Sequence, residues 1–315
     1  MIDLWFDRPL ALLLAPIATS GLAYIYYRAR ERVVSLARAL GPPKRGPAWK
    51  LFTASVVARA LLVLLISLLL ARPYVTRTSS VELTPDSPLL SRAEAEIVIL
   101  IDASKSMSYE LGLSPGRRID AALSVVGELL RELGPNDTVA LVAFAGNVET
   151  IYEGPPEGAL EALAAIEANR SYTSIGDALV YTLARYRASA KPAAVILLSD
   201  GGNNGGSDPL EAASLLRDAG LPLLAVQVGS GTSADPRLME RVAEEAGGEF
   251  RVLGELDPSV ASSLAGELAR EAKYGALEAA GRLHVEVEVR DYEGPRNVIS
   301  ILAAVALAIA LAGGA

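Results

Sequence analysis

Residues 96–107 read Glu96-Ile-Val-Ile-Leu-Ile-Asp-Ala-Ser-Lys-Ser-Met107, five consecutive apolar residues that run into an aspartate, with serines two and four positions after it. Valine, isoleucine and leucine without polar alternation are what a strand covered on both faces needs, because neither row of side chains meets water. The same pattern recurs at Thr138–Phe144, Ala193–Leu198 and Leu223–Val228. Between the first two runs, Ile119, Ala122, Leu123, Val126, Leu129, Leu130 and Leu133 fall on one helical stripe that Gly134-Pro135 closes. Asp208-Pro209, Asp235-Pro236 and Asp257-Pro258 each set a capping carboxylate before a proline suited to the first helical turn. Gly220 and Gly247 sit where helices end in a left-handed residue. Strand and helix in alternation predict an α/β fold, a mostly parallel sheet with helices on both faces and right-handed crossovers.

Sheets of this class bind ligands beyond the carboxyl ends of their strands. Asp102, Ser104 and Ser106 follow the first run, and Ser199, Asp200 and Gly201 follow the run 193–198, so two aspartates converge on one edge. A third element is Tyr172-Thr-Ser-Ile-Gly-Asp-Ala-Leu179, where Thr173 or Ser174 reads equally as a helix cap. Hydroxyls and carboxylates with no nitrogen or sulfur donor suit a hard cation: Mg²⁺ first, with Mn²⁺ or Ca²⁺ as alternatives. Two carboxylates leave room in the shell for an acidic group from a partner protein. The glycine-rich stretch 201–206 reads as a mobile loop beside this site, Lys105 as a solvated side chain, and Asp177 as a carboxylate in a helix first turn.

Asp102-x-Ser104-x-Ser106 after a buried strand, Thr173 with Gly176 at a helix start, and Asp200-Gly201 after a later strand together resemble the metal-ion-dependent adhesion site of von Willebrand factor type A (VWA) domains, a Rossmann-like fold. The resemblance spans about residues 96–273 and keeps the family order. It implies metal binding through the hydroxyls of Ser104, Ser106 and Thr173, with Asp102 and Asp200 acting directly or through water, and it implies binding of a protein ligand without enzymatic activity. Two apolar N-terminal segments, Leu70-Ala-Arg-Pro73, the type A region and a terminal apolar segment are similar to the Bat-type membrane proteins of aerotolerance operons. That likeness implies work alongside other Bat-type proteins and AAA+ ATPases of the MoxR kind.

Residues 9–27 and 51–71 are each long enough as helices to cross ~30 Å of hydrocarbon, and residues 298–315 are read as a third span. Only Arg59 interrupts the second, which places it against a neighbouring helix or toward the basic side. Asp3 and Asp7 stand where a signal peptide would be basic, so the N-terminus is expected to remain. Residues 28–50 carry Arg28, Arg30, Arg32, Arg38, Lys44, Arg45 and Lys50 against Glu31, a basic loop expected on the cytoplasmic side. Residues 72–297 then lie outside the cytoplasm in a multi-pass protein of the cell membrane.

The domain plan is therefore two spans and their basic loop (1–71), a linker with a strand (72–95), the VWA domain (96–273), a juxtamembrane segment with a strand (274–297) and the last span (298–315). Leu283 to Val289 alternates apolar with polar residues as a strand does, and it is expected to pair with Tyr74–Leu83 next to the membrane.

Composition narrows the chemistry further. No cysteine is present, which excludes disulfides, zinc-thiolate sites and cysteine nucleophiles. The single histidine, His284, lies on an alternating strand face, so a Ser-His-Asp hydrolase is a poor reading. A net charge of −8, with +6 on residues 1–71 and −14 on the remainder, argues against nucleic acid as a partner. Two other functions stay open from the sequence: a metal-dependent phosphoryl hydrolase, and a structural membrane protein with an inactive metal site. Against the hydrolase, no GxxxxGK[ST] loop occurs, and DASKS lacks a second aspartate two residues after the first.

Overall fold

The computed structural model describes all residues except 1–3, 41–46, 113–114, 232 and 313–315. The elements run β1 (Leu4–Phe6), α1 (Leu14–Leu40), α2 (Pro47–Leu70), β2 (Pro73–Glu82), β3 (Glu96–Asp102), α3 (Arg118–Glu132), β4 (Thr138–Phe144), β5 (Val148–Gly154) and α4 (Pro156–Leu163). They continue with α5 (Ile175–Tyr186), β6 (Ala193–Ser199), α6 (Pro209–Asp218), β7 (Leu223–Val228), α7 (Pro236–Glu245), β8 (Glu249–Leu253), α8 (Pro258–Ala279), β9 (His284–Asp291) and α9 (Glu293–Ala312). The chain divides into two compact units, one of Val81–Val285 and one of Met1–Ser80 with Glu286–Ala315.

In the first unit six strands lie in the order β5-β4-β3-β6-β7-β8. Every neighbouring pair is parallel except β5, which runs antiparallel to β4. All seven residues of β3 are buried, and because side chains alternate along a strand they feed two separate cores. Ile97, Ile99 and Ile101 pack with α3, α4 and α8; Val98 and Leu100 pack with α5, α6 and α7. This two-sided burial is why the run lacks polar alternation.

The three Asp-Pro starts cap as expected. Asp208 accepts from the Leu210 and Glu211 amides, Asp235 from Leu238 and Asp257 from Ser259, each cap contributing about 1 kcal/mol. Gly220 and Gly247 both adopt φ +70°, a conformation that costs a side chain bearing Cβ but not glycine. At the amino-terminal end of the sheet, Lys273 Nζ lies 2.9 Å from Asp137 Oδ2, with both side chains buried. Asp137 also accepts from the amides of Ala95 and Gly134, tying α8 to the turn before β4 and to the entry of β3. The outer strand β8 is only five residues long, and its Arg251 is paired with Glu249 and Glu271.

In the second unit β1, β2 and β9 form a three-stranded sheet, with Leu4 opposite Val75 in an antiparallel pair. The pairing expected between segments 74–83 and 283–289 is present, and β1 adds a strand that was not expected. Helices α2 and α9 pack through Leu65, Ile299 and Ala306. Arg59 reaches neighbouring helices, donating to the Tyr26 hydroxyl at 2.5 Å and the Ala310 carbonyl at 3.5 Å, while Ser55 donates to the same carbonyl at 3.0 Å.

Among the described residues two helical stretches are long and apolar enough to cross a membrane, Pro9–Arg28 and Glu293–Ala312, each of 20 residues. The expected span 51–71 appears as the shorter apolar stretch Ala54–Leu70, so two such helices stand where three were read from hydropathy. The basic segment 28–50 is also less of a loop than expected. α1 continues through Leu40 and α2 begins at Pro47, while residues 41–46 lie outside the described residues.

Candidate metal centre

Asp102 is the last residue of β3 and is fully buried. Its Oδ1 accepts the Ser104 amide at 2.9 Å and its Oδ2 accepts the Ser199 hydroxyl at 2.7 Å, so neutral donors from two strand ends fix the carboxylate. The chain then makes a 3-10 turn, Lys105–Ser108, that folds Ser106 back beside Ser104, leaving the two hydroxyl oxygens 3.0 Å apart. Lys105 is exposed, as a solvated side chain should be.

Asp200, one residue beyond β6, is also fully buried. Its Oδ1 accepts the Gly202 amide at 3.0 Å, and its Oδ2 lies 2.6 Å from Arg118 Nη1. Its main-chain carbonyl accepts from Gln227 Nε2 and the Asp235 amide, which fixes the turn after β6. Gly201 is required at this turn: φ is +81°, and a Cβ would run into the Asp235 carbonyl.

Thr173 is buried on the loop before α5. That loop is laid along the first by hydrogen bonds from the Lys105 amide to the Arg170 carbonyl and from the Arg170 amide to the Ala103 carbonyl. The structure thus brings Asp102, Ser104 and Ser106 into one hydrogen-bonded group and sets Asp200 beside it. Thr173 lies on the adjoining loop, and among the described residues its hydroxyl takes no hydrogen-bond partner.

The glycine-rich stretch, read from its composition as a mobile loop, is tied to the Thr173 loop and to α5 by side-chain hydrogen bonds. Asn204 Oδ1 accepts the Thr173 amide at 2.9 Å, and Asn203 Oδ1 accepts the Ile175 amide at 3.0 Å. Asn203 therefore does from a distance what Ser174 does not, since the Ser174 side chain makes no capping bond at the start of α5. Asp177 accepts from the amide and hydroxyl of Ser207, which anchors the far end of the same stretch. Motif reading placed Ser199 at the strand end without a role and missed Arg118 and the two asparagines as partners of the site; the sequence signal for the asparagines was two amide side chains inside a run of glycines.

Electrostatics supply the test of whether a cation fits. Burial, reinforced by the negative charge of Asp200, pushes the Asp102 carboxyl from its usual 3.8 up to about 7, against the lowering effect of its bonds to Ser104 and Ser199. A buried carboxylate with neutral donors, two facing hydroxyls and a second acidic group nearby form an oxygen-only donor set, which suits a hard divalent ion. Among the described residues no group of three or more histidine, cysteine, aspartate or glutamate side chains could hold a metal, so hydroxyls would have to supply much of the shell.

Residues 96–257 match the von Willebrand factor type A domain family. A UPF0353 protein of Mycolicibacterium paratuberculosis is 29% identical over 244 residues, covering 71% of this chain and 68% of that protein. Among solved structures, an aerotolerance-related membrane protein from Bacteroides fragilis is 20% identical, covers 57% of this chain and 99% of its own, and superposes with a TM-score of 0.50. BatB of Bacteroides thetaiotaomicron gives 20% identity over the same shares, with a TM-score of 0.49. With just over half of its length matched, on a six-stranded sheet whose central strand ends in Asp102-x-Ser104-x-Ser106, the chain belongs to the von Willebrand factor type A domain family.

Proposed function

We propose that this chain is a membrane-anchored VWA protein that binds a protein partner through one divalent ion, Mg²⁺ in preference to Mn²⁺ or Ca²⁺, without catalysing a reaction. The observation that carries the reading is the pair of hydroxyls of Ser104 and Ser106, 3.0 Å apart, next to the buried Asp102 carboxylate that only neutral groups contact. Ser104, Ser106 and Thr173 would hold the ion, with Asp102 and Asp200 balancing its charge. The bound ion would supply a concentrated positive charge able to take a carboxylate oxygen from the partner.

The protein's own groups do the rest. Ser199 and the Ser104 amide hold Asp102 in one orientation, and Asn203 and Asn204 hold the Thr173 loop against the site. Orientation by such supporting bonds is what turns a set of oxygens into a binding geometry.

Two helices long and apolar enough to cross a bilayer support anchoring. The basic residues of 28–50 favour a cytoplasmic position for that segment, which leaves the VWA domain outside the cytoplasm. The sequence likeness to Bat-type proteins supports a complex with other such proteins linked to a MoxR-type AAA+ ATPase, reached through the basic segment or an intermediary. The test is affinity capture from detergent-solubilised membranes with Mg²⁺ or with EDTA, comparing wild type with Ser104→Ala/Ser106→Ala. A partner retained only by wild type and only with Mg²⁺ supports the reading. Capture indifferent to EDTA and to the substitutions overturns it.

A further inference from the structure

The buried arginine at the site has no place in the donor set derived above. Arg118 opens α3 with its side chain 3% exposed. Its Nη1 lies 2.6 Å from Asp200 Oδ2 and its Nη2 donates to the Ser230 carbonyl at 2.9 Å, while its amide donates to the Tyr109 carbonyl. The guanidinium also lies 6.0 Å from the centre of the Tyr109 ring. Three loops therefore hold a permanent cation against one of the two aspartates. Both Asp200 oxygens already have a protein donor, whereas Asp102 has neutral donors only.

Resting on the metal reading above, we infer that Arg118 is the resident counter-cation of the centre and sets its need for an anionic ligand. Two aspartates alone would neutralise a divalent ion. With Arg118 fixed on Asp200, the loaded centre keeps one net positive charge beside the buried Asp102, Asp200 and Arg118, where an uncompensated charge is more costly than in open water. The ion is held weakly until an anion from outside cancels that charge, so metal and partner carboxylate strengthen each other's binding, and by linkage equally so. Arg118 acts here as a positioning and charge-setting residue that touches Asp200 and leaves the ion to the other side chains.

The test measures Mn²⁺ binding to the solubilised full-length chain by electron paramagnetic resonance of free Mn²⁺, with acetate as the carboxylate probe. In wild type, saturating acetate is expected to tighten Mn²⁺ at least tenfold over chloride at the same ionic strength. Arg118→Gln should bind Mn²⁺ at least tenfold more tightly than wild type without acetate and lose most of the acetate effect, while Arg118→Lys, which keeps the charge, should retain it. Circular dichroism establishes that each variant is folded, and if Arg118→Gln is not, Arg118→Met, which also removes the charge, carries the same comparison. Wild type that binds Mn²⁺ with no response to acetate, or a folded Gln variant that binds no more tightly, overturns the role of Arg118 and leaves the metal centre standing. Absence of Mn²⁺ binding in wild type and in every variant overturns the proposed function and this inference together.

Discussion

Arg118 and Asp200 form a buried ion pair at 2.6 Å across 82 positions of sequence, joining the start of α3 to the end of β6. Truncating one partner of such a pair leaves an uncompensated buried charge, which typically costs about 3–5 kcal/mol. Arg118→Ala should therefore melt well below wild type in EDTA by circular dichroism. Adding Mg²⁺ should restore part of the loss, because the ion then takes over as the cation facing Asp200.

The buried pair of Lys273 and Asp137 provides a second case in which the two halves are unequal. Asp137 accepts from two main-chain amides besides Lys273, so Asp137→Ala orphans Ala95 and Gly134 and leaves the buried ammonium with the Ser91 carbonyl at 3.3 Å and no counter-charge. Lys273→Met removes one charge and keeps most of the packing. Denaturant titration should show the aspartate variant as the less stable of the two by on the order of 1–3 kcal/mol, the cost of stranded buried donors. Equal losses would refute the assignment.

The raised Asp102 carboxyl gives a pH dependence with a definite sign. In the metal-free folded protein Asp102 keeps its proton up to about pH 7, whereas in the unfolded chain it gives it up near the usual 3.8. Between those values the native state binds more protons, so the stability of the metal-free protein falls as pH rises through that window, by about 1.4 kcal/mol per pH unit at most, and levels off above it. Asp102→Asn should flatten this slope. Mg²⁺ competes with the same proton, so the rise in melting temperature on adding Mg²⁺ should be larger at pH 8 than at pH 6.

Asn203 and Asn204 hold the Thr173 loop from outside the donor set. Asn204→Ala should leave the melting temperature within a few degrees of wild type yet weaken Mn²⁺ binding by about 10-fold or more, the usual effect of removing a supporting partner. Isothermal titration of the variant with Mn²⁺ checks this, and unchanged affinity would mean the loop holds its place without the bond.

What could be read from the sequence followed from how completely each segment is buried. β3, β4, β6 and β7 were legible because strands enclosed on both faces must be written in unbroken apolar residues. β5 and β8 were not, since edge strands keep polar residues such as Glu149, Glu153 and Arg251, and the three residues of β1 are too few to carry a period. The helix starts at Asp208, Asp235 and Asp257 were legible because capping is local. The partners of Asp200 and Thr173 were not, because Arg118 and Asn204 meet them only once the sheet has brought distant loops together. The middle apolar segment lies in α2, and among the described residues it counts as the shorter apolar stretch Ala54–Leu70.

The short outer strand β8, with Arg251 clasped between Glu249 and Glu271, bears on crowding. Under the proposed anchoring, copies confined to a bilayer would meet far more often than in free solution, and a long bare strand would invite them to join sheets into a fibre. A five-residue rim guarded by charges offers little backbone for a second sheet to copy.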